Sequence, residues 1–474
     1  MRGWFSRIQS GESYVPLVDE EQADSSPGLS VSEKHSPRAR NSCSGWHAKD
    51  AARRIFWVMI PSFLARVLGH ADDDSAIPAA NETSYLNGLR GIASLIVALQ
   101  HTIDADYPFI HRAWGDGDEN RRLMQLPFLR VVHSGIFMVC IFFIISGFAL
   151  TYSPLKKSYA GRGAAAIGSL PSSIFRRPFR LFIPLVPVLA VSTLLVHFQA
   201  FYKLNENTPM QPVATGLWGH IYYVYRSLLL IITSGTTDTV MPQGWTLSAE
   251  YQGSILVFLC CMAFARASAL VRIPFVFSLL VFYFNQGAWP QCLFLTGMLL
   301  ADVRHARERL PGLPGPARKV VTLASWIMLF IGIFLGGWPA HGNGWAGAVW
   351  SSLTWVSTFG IDPLRYFTSV GAVAVVVALE NLPVLQRGFN TRWVLYLGEI
   401  SYGMYLIHWA AGKCFLTAGL KYRMIREGHS LVASWSISFV ITMVLTIWFA
   451  DVHWRLVDTK SVQFAHWLSK KCGI

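Results

Sequence analysis

Arg90 and His101 stand eleven residues apart in the apolar stretch LNGLRGIASLIVALQH. On an α-helix that separation returns to within about 20° of the same face and rises roughly 16 Å. One helix would therefore carry a guanidinium near one end of a stripe and an imidazole near the other. A guanidinium binds phosphate through a planar fork of donors. An imidazole, with an ordinary pKa of about 6.5, takes and returns protons near neutrality. The plainer readings are snorkelling of Arg90 to lipid headgroups and capping of a helix end by His101.

Further groups join these two. Arg176, Arg177 and Arg180 cluster ahead of Pro184 and suit phosphate, or serve as ordinary positive charge at a membrane face. Glu250 lies in the first turn of the segment opened by Trp245-Thr246-Leu247-Ser248-Ala249, where the helix dipole favours an anion. Ser401, Tyr405 and His408 share one face of a late apolar segment. Such a polar stripe makes either a buried site or hydrogen bonds between helices. Gly147, in Ser146-Gly147-Phe148, reads as a helix-packing glycine. The seven cysteines show no CxxC pair and no metal spacing, so no metal is expected.

The elements that must hold these groups follow from composition. The chain has 474 residues, of which 53% are hydrophobic and only 14% charged. Its mean hydropathy is +0.38. A soluble domain carries about 25% charged residues. Apolar segments fall near 86–103, 131–152, 179–198, 247–264, 270–284, 289–302, 320–338, 368–381, 392–411 and 431–450. This predicts an all-α, multi-pass membrane protein of about ten transmembrane helices, since a span needs about 20 residues. A weaker stretch near 221–233 would be an eleventh span or a re-entrant piece.

Charge orients the spans. The loop at 153–180 is basic without an acid, the loop at 303–319 is basic with one, and the loop at 104–130 is acid-rich. Both termini are expected inside. The loop at 412–430 breaks the pattern: it holds Lys413, Lys421, Arg423 and Arg426, yet falls outside. The net charge of +13 reads as this inside bias, not as a nucleic-acid surface. Residues 1–52 read as a disordered cytoplasmic tail and 53–84 as an interfacial helix and linker. Residues 85–456 form the transmembrane domain and 457–474 a short C-terminal tail. No apolar core follows the first arginines, so no signal peptide is expected.

These residues resemble the membrane-bound acyltransferase-3 family. Tyr85-Leu86-Asn87-Gly88-Leu89-Arg90-Gly91-Ile92-Ala93 is similar to its opening LDGLRGIA motif, which His101 completes. Phe142 to Phe148 resembles its FFxxSGF segment, and Arg176, Arg177, Arg180 and Pro184 its RRxxRixP stretch. Trp245, Leu247 and Glu250 resemble WSLxxE; Ser401, Tyr402, Tyr405, Leu406 and His408 resemble SYxxYLxH. Asn87 departs from the usual Asp and removes a possible charge partner for Arg90. Val457-Asp458 stands where an acidic-Pro pair is usual.

The resemblance implies an integral membrane O-acyltransferase. It would take an acyl group, acetyl foremost, from acyl-CoA as co-substrate, with no permanently bound cofactor. The acceptor would be a hydroxyl of a carbohydrate, lipid or secondary metabolite. Arg90, Arg176, Arg177 and Arg180 would hold the CoA phosphates. His101 would act as general base, oriented by Asp104, with Glu250, Tyr405 and His408 supporting the acceptor or the oxyanion. Intramembrane Arg, His and Glu also fit a transporter or flippase of a small anionic or acylated molecule.

Overall fold

The computed structural model describes residues 56–69, 77–104, 106–117, 119–203, 208–235, 240–312, 314–341 and 361–474. The expected tail at 1–52 lies outside the described residues. Among those described, the regular elements are all helical. In order they are α1 Ser62–Val67, α2 Ser84–Ile103, α3 Gly135–Tyr159, α4 Gly163–Phe182, α5 Leu185–His197 and α6 Gly216–Ser234. Then come α7 Trp245–Phe264, α8 Ala269–Asn285, α9 Trp289–Arg307, α10 Gly315–Gly336, α11 Pro363–Glu380 and α12 Pro383–Phe389. The chain closes with α13 Arg392–Glu399, α14 Ser401–Lys413, α15 Leu420–Arg426, α16 Leu431–His453 and α17 Thr459–Lys471.

Among the described residues, six helices are long and apolar enough to cross a membrane: α3, α4 running into α5, α7, α10, α11, and α16 running on into α17. The sequence predicts about ten. The difference has a physical cause at the helices that carry polar groups. Asn87, Arg90, Ser94, Gln100 and His101 dilute α2, and a helix break at Ile400 divides the polar segment 392–411 into α13 and α14. The weak stretch at 221–233 is the body of α6, whose Ile231 packs under Gly244 at the start of α7. Outward-facing Leu270, Trp218, Val320 and Leu323 are well exposed, an apolar exterior suited to lipid.

Glycines set the spacing at the centre. A Cβ on Gly147 of α3 would run into the Phe294 backbone of α9, and one on Gly297 of α9 would run into the α3 backbone. The two helices therefore touch main chain to main chain. The same device joins α2 to α13: a Cβ on Gly91 would meet Leu397 and Gly398, and one on Gly398 would meet Asn87. That approach brings Arg90 beside the α13–α14 junction.

Two segments outside the central helices pack onto them. Residues 459–471, expected as part of a short tail, form α17 packed along α4, with Ser469 Oγ 2.7 Å from Ser172 Oγ. The N-terminal strap at 56–68 is clamped onto α16. Ser62 N–H and Oγ donate to Asp451 at 2.9 and 2.5 Å. Arg455 donates to the Val58 and Ile60 carbonyls at 3.0 and 2.8 Å, and Trp448 Nε1 to Met59 O at 2.7 Å. A π-helical turn at Trp454–Asp458 follows and turns Asp458 into the interior.

Candidate active site

The glycine contacts of α2 carry Arg90 into a cavity of about 130 Å³ enclosed by α2, α3, α4, α7 and α14. Arg90 Nε donates to Ser401 Oγ at 2.9 Å, and Nη2 donates to Gly398 O at 3.2 Å. Ser401 is held in turn by its own bond to Gly398 O at 2.6 Å. Arg177 and Arg180 also line this cavity, with Glu250, Tyr402, Tyr405, Ser146 and Asp458. Arg177 pairs with Glu250 and donates from Nε to Ser254 Oγ at 2.9 Å. Three arginines and two carboxylates thus border one space. Arg176 is turned the other way: its Nη1 lies 2.6 Å from His466 Nδ1 of α17, and it is absent from the cavity lining.

His101 opens into a second, smaller cavity of about 30 Å³ between α2, α14, α15 and α16. Its ring stacks on His408 with centroids 5.2 Å apart and planes 17° apart. Trp409 stands perpendicular to it, with ring centroids 5.6 Å apart. Asp104 stands 3.7 Å from His101 Nδ1, beyond hydrogen-bond reach. It accepts instead from Gln100 Nε2 at 2.9 Å and faces His111 Nε2 at 3.2 Å.

His408 is buried, and its Nδ1 lies 3.1 Å from Met404 O. A carbonyl only accepts, so Nδ1 carries the proton there. His408 Nε2 has no hydrogen-bond partner among the described residues. Tyr405 lies one turn earlier on α14, with its ring 5.8 Å from that of His408. Its hydroxyl is 2.7 Å from Thr246 Oγ1 and 3.2 Å from Gln243 O. Tyr405 lines the first cavity and His408 the second, as Arg90 and His101 do along α2. The paired helices α2 and α14 therefore connect an arginine-lined space to a histidine-lined one.

The structure explains Asn87. Its Nδ2 donates to Glu399 Oε1 at 2.7 Å, so an Asp there would set two buried carboxylates face to face. Other groups at the site were not singled out for it from sequence. Asp458 was noted only as a departure in a motif, and Ser146 only beside a packing glycine. Lys413 and Lys421 counted as loop charge. Lys421 Nζ instead binds both Asp106 oxygens at 2.8 Å, and both lysines are buried beside His101. The signal was the sign anomaly of that loop: two of its four cations are not at the surface.

A family model described as an acyltransferase domain matches residues 83–455. The O-acetyltransferase PaAT-1 of Phomopsis amygdali is 28% identical over 439 residues, covering 82% of this chain and 84% of that protein. The acyltransferase clz18 of Cochliobolus lunatus is 23% identical over 424 residues, covering 76% of this chain and 89% of that protein. The acyltransferase R4 of a Phoma species is 23% identical over 428 residues, with coverage of 76% and 89%. No solved structure matches the chain. With its match running from ahead of α2 to the end of α16 and over every residue of the two-cavity site except Asp458, the chain belongs to the acyltransferase family that this domain defines.

Proposed function

We propose that this O-acyltransferase moves an acyl group, acetyl foremost, from acyl-CoA to a hydroxyl of a carbohydrate, lipid or secondary metabolite within a multi-pass membrane domain. One observation carries the reading: α2 and α14 each present polar side chains to both cavities, Arg90 with Ser401 and Tyr405 to the arginine-lined one and His101 with His408 to the histidine-lined one. Arg90 and Arg180, with Arg177 beside them, supply guanidinium forks for the CoA phosphates. Arg176, bound to His466, would act from outside that space. The thioester arm then extends towards His101 over the rise from Arg90 to His101, roughly 16 Å on an ideal helix. His101 accepts the acceptor hydroxyl proton as general base.

Family membership and the names of the relatives, an O-acetyltransferase and two acyltransferases, favour acyl transfer over a transporter. The test is transfer from acetyl-CoA, labelled in its acetyl group, to a hydroxyl-rich extract of the source organism. Membranes with the wild-type chain should transfer label. His101→Gln should transfer none and still bind acetyl-CoA with an affinity within about threefold of wild type. Loss of binding in that variant would contradict the division of roles, and label transfer at the wild-type rate would remove His101 from the chemistry.

A further inference from the structure

The second cavity holds a charge that the proposed base does not need. Lys413 lies at the end of α14 with only 7% of its surface exposed. Its ammonium sits 5.1 Å from the centre of the Trp409 ring, and the same indole stands perpendicular to the His101 ring at 5.6 Å. The neighbouring Lys421 is neutralised by Asp106, whereas no acid pairs with Lys413 among the described residues. Burying an unpaired cation is costly, and one kept at a reaction centre serves best where negative charge develops. Two more buried polar atoms of the lining residues lack partners there, Trp409 Nε1 and His408 Nε2. Residues that carry a donor, an acceptor and a cation thus line one small space together with His101.

We propose that Lys413 stabilises the oxyanion formed at the thioester carbonyl during acyl transfer; this rests on the acyl-CoA reading above. As the acceptor oxygen bonds to the carbonyl carbon, its proton passes to His101 and the carbonyl π pair moves to oxygen. That oxyanion lies against Lys413. Collapse restores the carbonyl, breaks the carbon–sulfur bond, and the thiolate leaves with the proton held by His101. The products are the ester and CoA thiol.

The test uses the full-length chain in detergent, acetyl-CoA and a dilution series of the hydroxyl-rich extract, with release of CoA thiol as the readout. Lys413→Met should lower the maximal rate about 100-fold. The extract concentration giving half that rate should stay within about twofold, as should acetyl-CoA binding. Lys413→Arg, which keeps the charge, should recover about tenfold or more of the loss. An unchanged maximal rate in Lys413→Met overturns the proposal. So does a shifted half-saturating extract concentration at an unchanged maximal rate, which would mark Lys413 as a contact for an anionic acceptor. If Lys413→Met no longer binds acetyl-CoA, Lys413→Gln replaces it in the same comparison. Absence of CoA release by the wild type would defeat the acyl-CoA reading itself, a result distinct from equal rates in wild type and variant.

Discussion

At the scale of single residues, the first cavity is held together by charges that need one another. Arg177 and Glu250 are both largely buried, so removing one leaves the other charged in low dielectric. Arg177→Leu should cost about 3–5 kcal/mol of stability, read as a fall in the detergent melting temperature. Adding Glu250→Gln should return part of that loss, because the stranded carboxylate is then neutral. A double variant no more stable than the single would show that the pair is not coupled. Asn87 makes the complementary case. Asn87→Asp introduces the residue of the LDGLRGIA motif that this segment resembles, yet places a second carboxylate against Glu399. The expected outcome is a lower melting temperature without loss of Arg90's bonds to Ser401 and Gly398. Asn87→Asp in combination with Glu399→Gln should melt close to wild type.

At the scale of elements, distances between helices are set by absent side chains. Gly147 and Gly297 bring α3 and α9 together, and Gly91 and Gly398 bring α2 to α13. A methyl at any of these positions meets main chain, which cannot rotate away. Gly398→Val should therefore displace Arg90 from the cavity, because Gly398 O is one of its two anchors. Overpacking of this kind costs about 1–3 kcal/mol. The informative readout is acetyl-CoA affinity: it should weaken more than in Gly388→Ala, a position where an added Cβ meets nothing. Equal affinities in the two variants would show that the α2–α13 approach does not set the arginine. Proline acts at the other boundary, where Pro184 precedes α5 after the end of α4, four residues beyond Arg180.

At the scale of the molecule, the contacts sort the loops into two faces. Lys421 reaches Asp106, and the Ala113 N–H reaches His341 O at 3.1 Å, so the loops at 104–130, 337–341 and 413–426 share one face. Opposite them, Ser158 donates to Ala265 O and Arg304 reaches Glu82 and Glu380. This resolves the basic loop at 412–430: it lies with the acidic loop, since two of its four cations are buried and one of those is paired. A membrane-impermeant thiol reagent offers a direct check. Cysteines placed at Glu119 and Glu427 should label from the same side of sealed vesicles, and the exposed native Cys472 from the other. Labelling of Glu119→Cys and Glu427→Cys from opposite sides would break this arrangement.

Periodicity, spacing and composition alone determined that the chain is helical and apolar. They also determined that Arg90 and His101 share one stripe of one helix, because side-chain direction on a helix repeats with a known angle. Motif order was enough to indicate the family. Tertiary structure decided the rest. It alone separated Arg176 from Arg177 and Arg180, since a one-residue step of about 100° on α4 turns one guanidinium towards α17 and its neighbour towards Glu250. It alone brought Asp458, Lys413 and Lys421 from distant chain positions to the two cavities. Local sequence carries the direction of a side chain on its own helix. Which neighbour waits in that direction depends on how closely other helices approach, and contacts between residues hundreds of positions apart leave no local period to read.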